Sequence, residues 1–158
     1  MAAIALGSNL PSAWGDREAT LREAAERVGR LGEVLRVSSF YDTAPVGYTE
    51  QPRFLNAAML IETGLEPLDL MRELLAIERA MGRDRSIVPA KGPRVIDLDL
   101  LLMGDAAIAT DELTLPHPAM AERRFVLEPL AEVAPGMTDP VSGRTVAEML
   151  ERLAMQRE

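Results

Sequence analysis

Residues 54–62 alternate in polarity. Leu55, Ala57, Met59 and Ile61 form one apolar row while Phe54, Asn56 and Ala58 point the other way, the period of a strand with one face on a core. An aromatic ring and a carboxamide therefore share the face turned from that core. The apolar run Ala2 to Leu6, stopped by Gly7-Ser8-Asn9, predicts a buried strand entering a tight turn beneath a binding loop. From Ser12 the period lengthens: Leu21, Ala24, Val28 and Leu31 recur at threes and fours, a helix that Gly32 would end. Glu33 to about Tyr41 reads as another strand. Asp42 to Arg53, with two prolines and a glycine, reads as a loop of the length that serves binding.

A second helix starts near Pro67 and carries Leu70, Leu74, Ile77 and Met81 on one stripe before Gly82. The run VIDLDLLL predicts a strand, followed by Gly104-Asp105 and a short segment around Ile108. The remainder reads as a loop at LTLPHP, one or two short helices from Met120 to Val133 broken by Pro129, and a last helix. That last helix opens on Thr145 and Glu148, spaced as a capping box, and buries Val146, Met149, Leu150 and Leu153. The order strand, helix, strand, strand, helix, strand predicts an α+β, ferredoxin-like fold: an antiparallel sheet with two helices on one face, the other face left for loops and ligand. One domain over 1–158 is expected, with no internal repeat.

Composition removes several function classes. The chain has 158 residues, a net charge of −8, one histidine and no cysteine, so disulfides, thiol nucleophiles and cysteine-bound zinc or iron are excluded. No apolar run approaches the roughly 18 residues of a membrane span, and a cytoplasmic protein is expected. The acidic balance argues against wholesale nucleic-acid binding. Against that background, Arg79, Arg83, Arg85, Lys91 and Arg94 face a single acid, Asp84. Such a cluster is either a site for a small polyanion or a solvated loop.

Asp97 and Asp99 follow directly, two apart on a strand, so both carboxylates leave one face about 7 Å apart along the chain while Ile96, Leu98 and Leu100 fill the other. The pair is either the polar face of a strand or a hard-oxygen site for Mg²⁺, which takes one or two carboxylates and completes its shell with water and phosphates. Cations beside such a pair suit phosphoryl-type transfer, which needs positioning and charge compensation more than covalent help. Neither GxxxxGK[ST] nor GxGxxG occurs, so a P-loop or dinucleotide-binding domain is not supported. His117, between two prolines and followed by Arg123 and Arg124, is either a phosphate contact or a surface histidine. Phe54 and Phe125 could stack a flat heterocycle whose edge Asn56 reads, or could be core. Ser8 has no partner motif for a catalytic triad.

These segments, ALGSNL, SSFYDTAPVG with QPRFLNAA, IERAMGRDR, KGPRVIDLDLLL and LPHPAMAERRFVLEPLAEVAP, together resemble the 6-hydroxymethyl-7,8-dihydropterin pyrophosphokinases of folate biosynthesis, over almost the whole chain. The resemblance implies transfer of the β,γ-pyrophosphoryl unit of ATP to the pterin hydroxymethyl group, giving the pterin diphosphate and AMP. It implies that Asp97 and Asp99 ligate two Mg²⁺ ions, with Arg83 and Arg94 also catalytic. Arg83, Arg94, His117 and Arg123 would line the polyphosphate, with Glu78, Leu100 and Leu113 on the nucleotide side. Thr43, Val46, Phe54, Asn56, Asp97 and Phe125 would hold the pterin. The substrates would be small molecules only, neither nucleic acid nor membrane being engaged, and a monomer is expected. The mobile loops of the family would fall at Gly7 to Trp14, Asp42 to Arg53 and Gly82 to Pro93.

This chain departs from the family pattern at three places. Ala90-Lys91 stands where many members have Arg-Trp, Leu75 where some carry a nucleotide-contacting Gln, and Pro118-Ala119 where a Tyr or Arg often contributes. The competing readings are a non-catalytic pterin- or nucleotide-binding regulatory module of the same fold and a different metal-dependent phosphoryl or nucleotidyl transferase.

Overall fold

A computed structural model describes residues 1–10, 12–43, 53–82 and 95–156. At its centre lies β1 (Ala2–Ser8), paired antiparallel with β4 (Phe54–Glu62) on one side and β5 (Asp97–Met103) on the other. Two short strands, β2 (Glu33–Val37) and β3 (Tyr41–Thr43), share the far edge of β4, so the sheet runs β2-β4-β1-β5 with β3 also on β4. This is the ferredoxin-like strand order that the sequence of elements predicts.

Two helices, α1 (Arg17–Gly29) and α2 (Pro67–Ala80), cover one face. Leu21, Ala24 and Val28 of α1 and Leu70 and Leu74 of α2 pack against Ile4, Leu6, Ala57, Met59, Ile61, Leu98 and Leu100. Full burial of each large side chain here contributes about 1.5–3 kcal/mol. The helix α1 starts later than expected. Ser12 and Gly15 first close a tight turn through paired backbone bonds of 2.8 and 3.1 Å, and Asp16 then caps the helix by accepting the Ala19 N–H at 2.9 Å. It also stops at Gly29, before Gly32. Gly32 serves a close approach instead, since a Cβ there would lie 2.2 Å from the Glu62 carbonyl oxygen.

The expectation of an open second face is corrected. Two further helices, α3 (Arg124–Val133) and α4 (Val146–Gln156), pack Val126, Leu127, Leu130, Val133, Val146 and Met149 onto Ala3, Ala58, Leu60, Leu101 and Leu102. Nor does Pro129 break the segment. It lies inside α3; its missing N–H costs only the bond to the Phe125 carbonyl, while four apolar side chains of the same helix gain burial. The break falls at Arg123, between α3 and a single 3₁₀ turn at Met120–Glu122. The α4 capping box forms as expected: Thr145 N–H donates to Glu148 Oε1 at 3.0 Å and Glu148 N–H to Thr145 Oγ1 at 3.1 Å.

Two irregularities shape the sheet. The strand expected over Glu33 to Tyr41 is interrupted at Ser38–Phe40, where the buried Ser38 hydroxyl accepts the Ala58 N–H at 2.8 Å in place of a ladder carbonyl. On β5 the register with β1 shifts between Ala3 and Ile4, which pair with Leu102 and Leu100. Leu101 is the extra residue of a bulge. Both Leu101 and Leu102 consequently join the core beneath α3 and α4.

Candidate active site

The apolar cover on the α3–α4 side ends toward the C-terminal end of β1, and polar groups take over. Gly7 pairs with Asn56 on β4 and with Asp97 on β5. Opposed residues share a sheet face, so the three form a row with its middle side chain missing. Strand spacing puts Asn56 and Asp97 about 10 Å apart across Gly7, the breadth of a flat bicyclic ring. A Cβ at Gly7 would meet Asn56 Oδ1 at 2.9 Å and Phe54 Cδ1 at 3.9 Å, so this glycine leaves room that any side chain would fill. Gly7 and Ser8 are thus the last residues of β1, not a turn below a loop, and buried Ser8 donates its hydroxyl to the Leu10 carbonyl at 3.2 Å.

Asn56 is buried and oriented. Its Nδ2 donates to Thr43 Oγ1 at 2.5 Å, leaving Oδ1 on the Gly7 side as an acceptor. Phe54 pairs with Thr43 across β3 and β4. Phe125, in the first turn of α3, lies half-buried at the edge of the same face, with Arg123 5.8 Å from its ring centroid. The structure therefore brings Thr43, Phe54, Asn56, Asp97 and Phe125 to one face of the sheet, whereas Val46 lies outside the described residues.

Asp97 and Asp99 both project from the α3 side of β5, half-buried, with Leu98 and Leu100 directed into the opposite core. Glu78, buried on α2, accepts the Leu98 N–H at 2.7 Å. It thereby holds the free edge of β5 between the two aspartates, and it is not one of the side chains lining the adjoining cavity. The loop after Leu115 passes close to Asp99, where the His117 N–H donates to the Leu101 carbonyl at 2.9 Å. This sets His117 Nε2 3.9 Å from Asp99 Oδ1. Burial, and then the charge of Arg123, push the imidazole pKa below its ordinary value, with Asp97 acting in the opposite sense. A neutral ring at 3.9 Å is a neighbour rather than an ion-pair partner. Its Nδ1 accepts the Ala119 N–H at 3.4 Å, which leaves the proton on Nε2, toward the carboxylates.

Along the outer edge of β5 opens a cavity of about 340 Å³. Its walls are Met71, Leu74 and Leu75 of α2, Leu98 and Leu100 of β5, and Leu113 and Thr114 at the hairpin of β6 (Ile108–Ala109) and β7 (Thr114–Leu115), with Asp99 and His117 at one end. Arg72 and Glu112 join α2 to the hairpin through two bonds of 2.9 and 3.1 Å. Leu75 is therefore an apolar wall where some family members have a Gln. Leu100, Leu113 and His117 come together in this cavity. Arg83 and Arg94, with most of the basic segment and Lys91, lie outside the described residues.

A hard divalent cation fits this donor set. Two carboxylates at alternate positions of one strand face the same way, and among the described residues no group of three or more His, Cys, Asp or Glu could hold a metal by itself. Mg²⁺ needs only one or two carboxylates when water and phosphate complete its shell. Sequence reasoning missed Glu132, Ser39 and Tyr41, which join α3 to the β2–β3 break. They lie more than ninety residues apart, and no local spacing links them.

Comparison with known proteins places the chain in a family. The family model for 7,8-dihydro-6-hydroxymethylpterin-pyrophosphokinase (HPPK) matches residues 3–135. The chain is 47% identical over 135 residues to the 2-amino-4-hydroxy-6-hydroxymethyldihydropteridine pyrophosphokinase of Bacillus subtilis, covering 84% of this chain and 77% of that protein. It is 42% identical over 147 residues to the protein of that name from Pseudomonas aeruginosa, covering 93% and 88%. Its fold matches the crystal structure of a Plasmodium falciparum HPPK-DHPS triple mutant with STZ-DHP at a TM-score of 0.75 and 15% identity, over 98% of this chain and 43% of that longer one. The chain belongs to the 7,8-dihydro-6-hydroxymethylpterin-pyrophosphokinase family, and its activity is that of a pyrophosphokinase in folate biosynthesis. No helix among the described residues is long and apolar enough to cross a membrane.

Proposed function

We propose that the pterin lies over Gly7, with Asn56 and Asp97 at its two edges and Phe54 and Phe125 against its faces, and that ATP occupies the cavity beside β5. The observation that carries this reading is the Asn56–Gly7–Asp97 row adjoining, through Asp99, a cavity of about 340 Å³. The hydroxymethyl oxygen of 6-hydroxymethyl-7,8-dihydropterin attacks the β-phosphorus of ATP. The new O–P bond forms as the α,β-bridging bond breaks, AMP departs and the hydroxyl proton is released. Asp97 and Asp99 would hold Mg²⁺, two ions by the family resemblance, which when bound neutralises phosphate charge. The Nε2–H of His117 and the guanidinium of Arg123 donate to phosphate oxygens at the junction of the two sites. Arg83 and Arg94 keep the polyphosphate role that the resemblance implies.

The remaining assignments follow from the same reading. Leu100 and Leu113 pack on the base, Thr43 holds Asn56, Val46 adds a pterin contact, and Glu78 acts on the nucleotide side by fixing β5. One domain spanning 1–158 acts as a cytoplasmic monomer in this reading, and a net charge of −8 is in keeping with it. The test is product analysis with ATP, Mg²⁺ and the pterin for wild type and Asp97→Ala. AMP and pterin diphosphate from wild type alone are expected. A folded wild type that binds the pterin without releasing AMP would leave only a binding module.

A further inference from the structure

The β2–β3 break frees a backbone donor, and one side chain collects it. Ser38 Oγ takes the Ala58 N–H and donates to the Ser39 carbonyl at 2.7 Å. The Ser39 N–H is thereby turned off the sheet edge toward α3. There Glu132 accepts it through both oxygens, at 2.9 and 3.1 Å, accepts the Ser39 hydroxyl at 3.2 Å and the Tyr41 hydroxyl at 2.7 Å. These bonds hold the carboxylate below its usual pKa and push Tyr41 up to about 12, so acceptor and donor persist throughout the neutral range. On the opposite face Phe40 packs into the main core with Arg22 5.2 Å from its ring centroid.

What this carboxylate holds matters for the site. The strand β3 is only three residues long, with Tyr41 opposite Asn56 and Thr43 opposite Phe54. Its Thr43 hydroxyl is the group that turns the Asn56 carboxamide. The other end of the link is α3, whose first turn carries Phe125, two helical turns or about 10 Å from Glu132. We infer that Glu132 is a positioning residue for the pterin side of the site: by tying α3 to β3 it fixes the gap between Phe125 and the Phe54–Asn56 edge, without touching either substrate. This rests on the placement of the pterin proposed above.

The test measures pterin Kd by equilibrium fluorescence, together with KM for pterin and for ATP, in wild type, Glu132→Ala, Glu132→Gln and Tyr41→Phe. Loss of several charge-assisted bonds should raise the pterin Kd and KM about five- to tenfold in Glu132→Ala, with the ATP KM within about twofold of wild type. Glu132→Gln, which keeps an acceptor for Tyr41, should recover part of the loss. Adding Tyr41→Phe to Glu132→Ala should change little, because both act through one link. Pterin constants that stay at the wild-type values in a folded Glu132→Ala, or pterin and ATP constants that rise together, would overturn the inference. If Glu132→Ala does not fold, Tyr41→Phe with Ser39→Ala makes the same test. A wild type that binds the pterin but makes no AMP would defeat the catalytic reading and leave this one to be decided by the Kd ratios.

Discussion

On the α1–α2 side of the sheet the central strand presents Ala2, Ile4 and Leu6, which meet Leu21, Val28, Leu70 and Leu74 in a continuous apolar layer. On the α3–α4 side the same strand presents Ala3, Ala5 and Gly7, and its neighbours change from Ala58 and Leu60 to Asn56, and from Leu102 to Asp99 and Asp97. Side-chain size on one strand thus separates the two faces: large residues close one, while dwindling ones leave the other open where the carboxylates stand. One face is therefore core along its length, while the other is core at one end and carries the proposed site at the other.

The sharpest way to break this comparison is to move each face's own measurement with a mutation on the other. On the proposed placement of ATP, Asp99→Asn should lower kcat by about a hundredfold or more, since it would remove charge at the transferring phosphates, while stability changes by about 1 kcal/mol or less. Urea melts alongside steady-state rates decide this, and a large loss of stability would make Asp99 part of the support instead. Leu21→Ala should do the reverse, costing about 2–5 kcal/mol of stability and leaving both KM values as they were. Next comes Gly7→Ala. Its methyl would crowd Asn56 Oδ1 at 2.9 Å and should weaken pterin binding about tenfold, the scale of a local overpacking cost of 1–3 kcal/mol; a pterin Kd equal to wild type would mean that the gap at Gly7 is not used.

The smallest expected effect concerns His117. Burial holds its folded pKa below the ordinary imidazole value of 6.5, so below about pH 6.5 the unfolded chain takes up a proton that the folded chain refuses. Stability contributed by this group is therefore present above that pH and is lost as pH falls from the unfolded toward the folded pKa. Thermal melts at pH 7.5 and 5.5 should show His117→Gln losing slightly less on acidification than wild type. An equal or larger loss would place the imidazole in a setting that welcomes its charge.

Much of this was legible along the chain because it is written in local period. The alternation of Phe54–Glu62 placed Leu55, Ala57, Met59 and Ile61 on the first core and Asn56 with Phe54 away from it, as found. The Thr145–Glu148 box marked the start of α4. Asp97 and Asp99 were readable as a same-face pair by parity alone. The same parity argument misjudged the second face, because Phe54, Asn56 and Ala58 read as a row left for loops and ligand, whereas α3 covers Ala58. Proline chemistry predicted a break at Pro129, and burial of the flanking Val126, Leu127, Leu130 and Val133 outweighed one missing hydrogen bond.

The sequence by itself determined the order of strands and helices, the carboxylate pair and the family motifs, since periods, caps and short spacings act between residues a few positions apart. Only the tertiary structure decided that Gly7 separates Asn56 from Asp97, that Glu78 fixes β5, and that Glu132 reaches Ser39 and Tyr41. Those relations join residues brought together by strand pairing and helix docking. Their energies come from geometry across the fold, which no local pattern encodes.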